Sequence, residues 1–193
     1  KISIKNVKVI VLDEADEMLS KGFKDQIYNI FRQSNEETVQ IALFSATMSQ
    51  ELMLLSKELL RNPEQILVKS EALTLEGISQ AYVLIENEIN KYETLKDLYS
   101  SFSMSQCIIY CNSLKRVTEL YDNMMNEKYP VCCLHSEQTR NDREKAYNEF
   151  KNGKFRILIS TNITARGIDI QQVSTVINYD VPKDAHTYLH RIG

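Results

Sequence analysis

The tetrad Asp13-Glu14-Ala15-Asp16 puts three carboxylates into four positions, directly after the apolar run Val9-Ile10-Val11-Leu12. Carboxylates crowded in this way repel one another unless a cation joins them. Their hard oxygens suit Mg²⁺, an ion that keeps several of its waters and usually arrives with substrate phosphates. The same residues could equally form a polar strand-to-helix turn with Asp16 near a helix start. A second candidate is Ser45-Ala46-Thr47, which follows the apolar-leaning segment 39–44. Its two hydroxyls can donate to a neighbouring carboxylate, or cap a helix running from Met48 to Leu60. Further on, Arg156-Ile157-Leu158-Ile159-Ser160-Thr161 leads into Ala165-Arg166-Gly167-Ile168-Asp169, and the sequence closes on Tyr188-Leu189-His190-Arg191-Ile192-Gly193.

Positioning such groups takes strands. The run 9–12 reads as a strand buried on both faces of a parallel sheet covered by helices. Open parallel sheets bind ligands beyond the carboxyl ends of their strands, which is where the acids lie. Strand patterns at 8–12, 39–44 and 66–68 alternate with helical stretches at 14–32 and 50–60. The first helical stretch carries Met18, Leu19, Phe23, Ile27, Ile30 and Phe31 on an approximate 3.6-residue stripe. Asn62-Pro63 marks a helix stop, and the polar connector from Lys69 to Ser79 places a domain boundary. Strand patterns resume at 81–85, 107–111, 131–135, 156–160 and 174–178. One helix between them presents Leu114, Val117, Leu120, Tyr121 and Met124; another opens with a capping-box-like Thr139 and Asp142. Alternation of this kind predicts a parallel α/β sheet.

Composition sets limits. With 43% hydrophobic residues there is ample material for packed cores, and 5 Gly and 3 Pro argue against long disordered linkers. The net charge of −3 gives no general electrostatic pull on nucleic acid, although a local groove can be basic on an acidic protein. No apolar run approaches the roughly 18 residues of a membrane span. Cys107, Cys111, Cys132 and Cys133 lack any zinc spacing and read as buried reduced thiols of a cytoplasmic or nuclear protein.

Together, Asp-Glu-Ala-Asp, Ser-Ala-Thr, Ala-Arg-Gly-Ile-Asp and His-Arg-Ile-Gly resemble, in order and spacing, the DEAD-box ATP-dependent RNA helicases. The similarity extends over essentially the whole sequence and is greatest to the translation-initiation subgroup. It implies an α/β architecture of two RecA-like parallel-sheet domains, the first only partly present. Residues 1–69 would end the first domain, 70–78 would be a linker, and 79–193 would form a second domain lacking its end. The resemblance implies ATP and Mg²⁺ as cofactors and RNA, held through its backbone, as partner, with protein regulators possible. Asp13 would hold Mg²⁺ through a water, and Glu14 would orient or deprotonate the attacking water. Asp16 would bond Ser45 and Thr47. Arg166, Asp169, His190 and Arg191 would serve the nucleotide and the network around it. Asn112, Arg143, Thr161 and Gly167 would serve RNA. Taken singly, Asn112 and Thr161 also suit turns or caps, and Arg143 suits a solvated surface.

The sequence departs from the family at Ser136-Glu137, where Gly-Asp is usual, at Arg140 in place of Gln, and at Asn162 in place of Asp. It holds no Gly-x-x-x-x-Gly-Lys-Ser/Thr loop, and the arginines that follow the closing motif in the family are not in it. On this reading the chain is a helicase core fragment, inactive alone, whose parent reading frame supplies both. The alternative is a non-catalytic RNA- or protein-binding scaffold derived from a helicase.

Overall fold

A computed structural model describes residues 4, 6–20, 22–34, 38–67, 77–101, 105–162 and 170–192. The chain forms two compact units, Lys1–Thr74 and Leu75–Gly193. Both are α/β, with parallel strand pairing throughout the described sheets.

In the first unit, β1 (Val9–Leu12) pairs with β2 (Gln40–Leu43) in the register Leu12 to Leu43. Helices α1 (Ala15–Ser20), α2 (Lys24–Gln33) and α3 (Gln50–Leu59) supply the apolar cover. Leu12, Leu19, Ile27, Phe31, Leu52 and Leu55 form the core. Val9 and Val11 are 52% and 55% exposed, so β1 is covered on one face and not on both as expected. The helical stretch 14–32 is two helices. Gly22 adopts φ +75°, a left-handed conformation that glycine takes at little cost. Gly22 N–H donates to the Leu19 carbonyl and Phe23 N–H to that of Met18, ending α1 in a Schellman turn. The Ser49 hydroxyl accepts the Leu52 N–H and starts α3. Ile66 and Leu67 form no strand, and Val68 lies outside the described residues.

In the second unit, β3 (Gln106–Tyr110), β4 (Val131–Leu134), β5 (Ile157–Ser160) and β6 (Val173–Asn178) lie in the order β4-β5-β3-β6. All five residues of β3 are buried, as suits a central strand covered on both faces. Its alternation sends Cys107 and Ile109 to one core and Ile108 and Tyr110 to the other. Helices α4 (Lys91–Ser101) and α5 (Leu114–Asn126) pack on the first face through Leu95, Val117, Leu120 and Met124. Helix α6 (Arg140–Lys151) packs on the second through Phe150. Thr139 caps α6 by accepting the Asp142 N–H, as its sequence predicts. Helix α7 (Ala185–Ile192) closes the described chain. The expected strand at 81–85 is absent: Tyr82 and Leu84 stand 90% and 85% exposed, with no partner strand among the described residues.

Candidate functional site

The acids of the first unit emerge where β1 ends. Phe44 N–H donates to the Leu12 carbonyl at 2.7 Å and Ala15 N–H to the Phe44 carbonyl at 3.1 Å, which laces the tetrad to the segment after β2. Between these bonds Glu14 takes φ +49°, a left-handed conformation costing a non-glycine residue about 1–3 kcal/mol. The sharp turn sorts the carboxylates. Asp13 is exposed and Glu14 half-buried, whereas Asp16, in the first turn of α1, is 8% exposed.

Asp16 meets the cost of burial with donors. Its Oδ2 accepts the Thr47 hydroxyl at 2.8 Å and the Thr47 N–H at 3.3 Å; its Oδ1 accepts the Glu17 N–H at 2.9 Å. The expected Asp16–Thr47 bond is therefore present. Ser45 departs from expectation, because its hydroxyl donates to the Thr47 carbonyl at 2.7 Å and so shapes the turn that presents Thr47. Asp13 Oδ1 accepts the Glu14 N–H at 2.9 Å. Asp13, Glu14, Glu17, Met18 and Phe23 line an open depression of about 380 Å³. An exposed carboxylate with one oxygen already oriented by a backbone N–H is the donor set a hydrated hard cation needs.

In the second unit the carboxyl ends of β3, β5 and β6 converge on Arg191. This residue is 3% exposed, and all five of its N–H donors are used within the unit. Nε and Nη2 donate to Asn162 Oδ1 at 2.8 and 2.6 Å, and Nη2 also to Asn112 Oδ1 at 2.7 Å. Nη1 donates to Asn178 Oδ1 at 3.0 Å and to the Asp180 carbonyl at 2.9 Å. Burial pulls the guanidinium below the ordinary arginine pKa, opposed by neighbours that include Asp180. Arg191, expected at the nucleotide, thus acts first as a clamp on three strand ends.

Asn112, expected at RNA, is part of the same clamp. Its backbone N–H donates to Asp180 Oδ2 at 2.9 Å and its Nδ2 to the Val181 carbonyl at 2.8 Å. Asp180 also accepts Lys91 at 2.9 Å and Arg116 at 2.8 Å. Burial raises the Asp180 pKa, but the Asn112 N–H, Lys91 and Arg116 together outweigh it and hold the carboxyl below its usual range. Thr161 follows β5 and is half-buried, and Arg143 sits half-buried in the first turn of α6. Arg140 is exposed and pairs with Glu144 at 2.8 Å. Arg166, Gly167 and Asp169 lie outside the described residues. His190 stands on α7 beside His186, their Nε2 atoms 3.1 Å apart. His186 lies four residues before His190, a spacing that puts the two on one face of the helix.

These strand-end carboxylates and clamped loops, on parallel α/β units of the RecA-like kind, define a class. The family described as "DEAD/DEAH box helicase" matches residues 1–55 and that described as "Helicase conserved C-terminal domain" matches residues 90–193. The chain belongs to the DEAD-box helicase family. It is similar to "ATP-dependent RNA helicase eIF4A" of Debaryomyces hansenii, at 50% identity over 187 residues, 97% of this chain and 47% of that protein. "Eukaryotic initiation factor 4A" of Caenorhabditis elegans is 48% identical over 187 residues, again 97% of this chain and 46% of that protein. The solved structure described as S. cerevisiae Dbp5 bound to RNA and ADP BeF3 superposes with a TM-score of 0.89 at 33% identity, covering 99% of this chain and 50% of that one. The chain spans about half the length of the curated relatives it matches.

Proposed function

We propose that this chain carries the hydrolytic carboxylates and the second lobe of an ATP-dependent RNA helicase of the translation-initiation kind. The observation that carries the reading is the sorting of the tetrad: Asp13 and Glu14 outward at the end of a parallel strand, Asp16 inward on Thr47. Asp13 would hold Mg²⁺ through a water; the ion, when bound with ATP, would neutralise phosphate charge. Glu14 would orient or deprotonate the attacking water. Asp16 and Thr47 would tie that strand end to the segment after β2, with Ser45 shaping the turn.

In the second lobe Thr161, Arg143 and Gly167 would hold RNA by its backbone, a mode of contact that reads no sequence. Asn112 would contribute through the second hydrogen of its amide, the first being committed to Val181. Arg166, Asp169 and His190 would serve the nucleotide, with Arg191 positioning the loops. The domain limits on this reading are 1–69 and 79–193, joined by 70–78. Protein regulators and a cytoplasmic or nuclear setting go with this reading. Because the 193 residues contain no phosphate-cradling glycine loop, the chain on its own is expected to be inactive.

The test is ATP turnover by the native-length protein with Mg²⁺, with single-stranded RNA, with DNA, and with neither. Turnover that rises with RNA and not with DNA is expected. Glu14→Gln should retain ATP binding and lose turnover by about 10²–10⁴-fold. Undiminished turnover in that variant would remove Glu14 from the chemistry. No turnover under any condition would favour a non-catalytic scaffold.

A further inference from the structure

We propose that His186 and His190 form a bidentate seat for a divalent transition-metal ion of the zinc class on helix α7. The inference stands on the second unit alone and does not depend on the helicase reading. Residues four apart on a helix lie one above the other on the same face, the spacing by which paired helical histidines grip zinc in metalloprotease motifs. The two Nε2 atoms face each other at 3.1 Å. With Zn–N bonds of about 2.0–2.1 Å, two nitrogens on one ion stand about 3.3 Å apart at a tetrahedral angle and about 2.9 Å apart at a right angle. The observed separation falls between these bites.

Without metal the contact is a hydrogen bond, so one ring carries its proton on Nε2 and the other presents a bare Nε2. Seating an ion requires the donor ring to move its proton to Nδ1, which leaves both Nε2 lone pairs for the metal and releases no net proton from a neutral pair. The ring centroids are 4.3 Å apart with planes at 69°. One imidazole must therefore swing outward about χ2, a broad and soft torsion. Helix α7 is held independently of the histidines: Asp184 accepts the Thr187 N–H at 2.7 Å and the Thr187 hydroxyl at 3.0 Å, and Arg191 anchors the far end. Waters would complete the coordination sphere.

The four thiols compete poorly. Burial pushes the thiols of Cys107, Cys111 and Cys132 up to about 12 and that of Cys133 to about 11, which keeps them protonated. His135, the third histidine, sits on the turn after β4. The experiment titrates zinc chloride into the reduced, chelator-treated protein against a chromophoric competitor at pH 7.5, alongside His186→Asn, His186→Gln and His135→Asn. Far-UV circular dichroism checks the fold of each variant. One zinc per chain is expected, weakened at least about tenfold in both His186 variants and unchanged in His135→Asn, with a zinc-dependent rise in melting temperature lost in step. No zinc bound, equal binding by the His186 variants, or loss of binding in His135→Asn would overturn the proposal.

Discussion

Replacing Arg191 with Met tests the clamp that joins the ends of β3, β5 and β6. The substitution removes five donors at once and orphans Asn112, Asn162 and Asn178 side-chain oxygens and the Asp180 carbonyl. Asn112 and Asn162 are exposed, so water can replace the guanidinium there. Asn178 and Asp180 are half-buried and are served less well. Each orphaned buried acceptor costs about 1–3 kcal/mol, while removing a buried charge recovers part of its desolvation. The net loss is about 2–4 kcal/mol, a fall in melting temperature on the order of 10 °C for a unit of this size.

Arg191→Lys keeps the charge without the planar fork and should fall between the two. Asn162→Asp supplies the decisive contrast. It would set a carboxylate where Oδ1 now receives Nε at 2.8 Å and Nη2 at 2.6 Å, turning a neutral acceptor into a charge-assisted, forked partner. That substitution should stabilise by about 1 kcal/mol at neutral pH. Thermal and urea unfolding followed by circular dichroism measure all three. A Met variant within about 0.5 kcal/mol of the unaltered protein, the usual range for an inconsequential surface change, would refute the clamp. So would an Asn162→Asp variant less stable than its parent.

Thr47→Val removes the hydroxyl from a carboxylate that is only 8% exposed. Leaving Asp16 with its backbone donors should cost about 1–3 kcal/mol in urea unfolding; Thr47→Ser should restore most of it. Acid should weaken the second unit through Asp180. Its folded pKa lies below the ordinary 3.8, so its stabilisation is present above that value and is lost as pH falls through the depressed one. Unfolding measured against pH should therefore show a steeper acid limb in the unaltered protein than in Asp180→Asn. Parallel limbs would show that other carboxylates govern acid unfolding.

The elements that the sequence pattern located are those with a continuous apolar run, as in the fully buried β3 and β5, or with one regular apolar face. Strands β3 to β6 and helices α5 and α6 are of this kind. The continuous helix read over 14–32 failed because the apolar stripe runs on across Gly22, whereas the backbone breaks there in a Schellman turn. Helix α4 escaped notice because it buries only Leu95 fully, the rest of its packing being Tyr92 and Tyr99. The segment 81–85 has the apolar run of a strand but no strand to pair with among the described residues, and pattern alone cannot supply one. Thr47 was legible as a partner of Asp16 because the resemblance named both. The convergence of Asn112, Asn162 and Asn178 on Arg191 was not, since each asparagine reads locally as a turn residue. Their meeting depends on strand order, which brings together residues separated by as many as 79 positions.

The tetrad shows how one residue type comes to hold different roles within four positions. Asp16 is spent on structure: buried, bonded on both oxygens and tied to Thr47. Asp13 and Glu14 face the other way because the chain turns sharply at Glu14, at φ +49°. Glycine would make that turn at lower conformational cost, and asparagine is the usual second choice. Glutamate bears the ordinary strain of a side-chain-bearing residue there, as Lys128 does at φ +65°. Strain retained at a strand end, where a cheaper residue would serve the fold, is an observation that leads from geometry to chemistry. The side chain that the strained backbone carries is half-buried in the wall of an open depression beside Asp13. A carboxylate so placed can reach a ligand that enters the depression. That placement is compatible with the role in orienting the attacking water that the family resemblance implies for Glu14, which the turnover of Glu14→Gln tests.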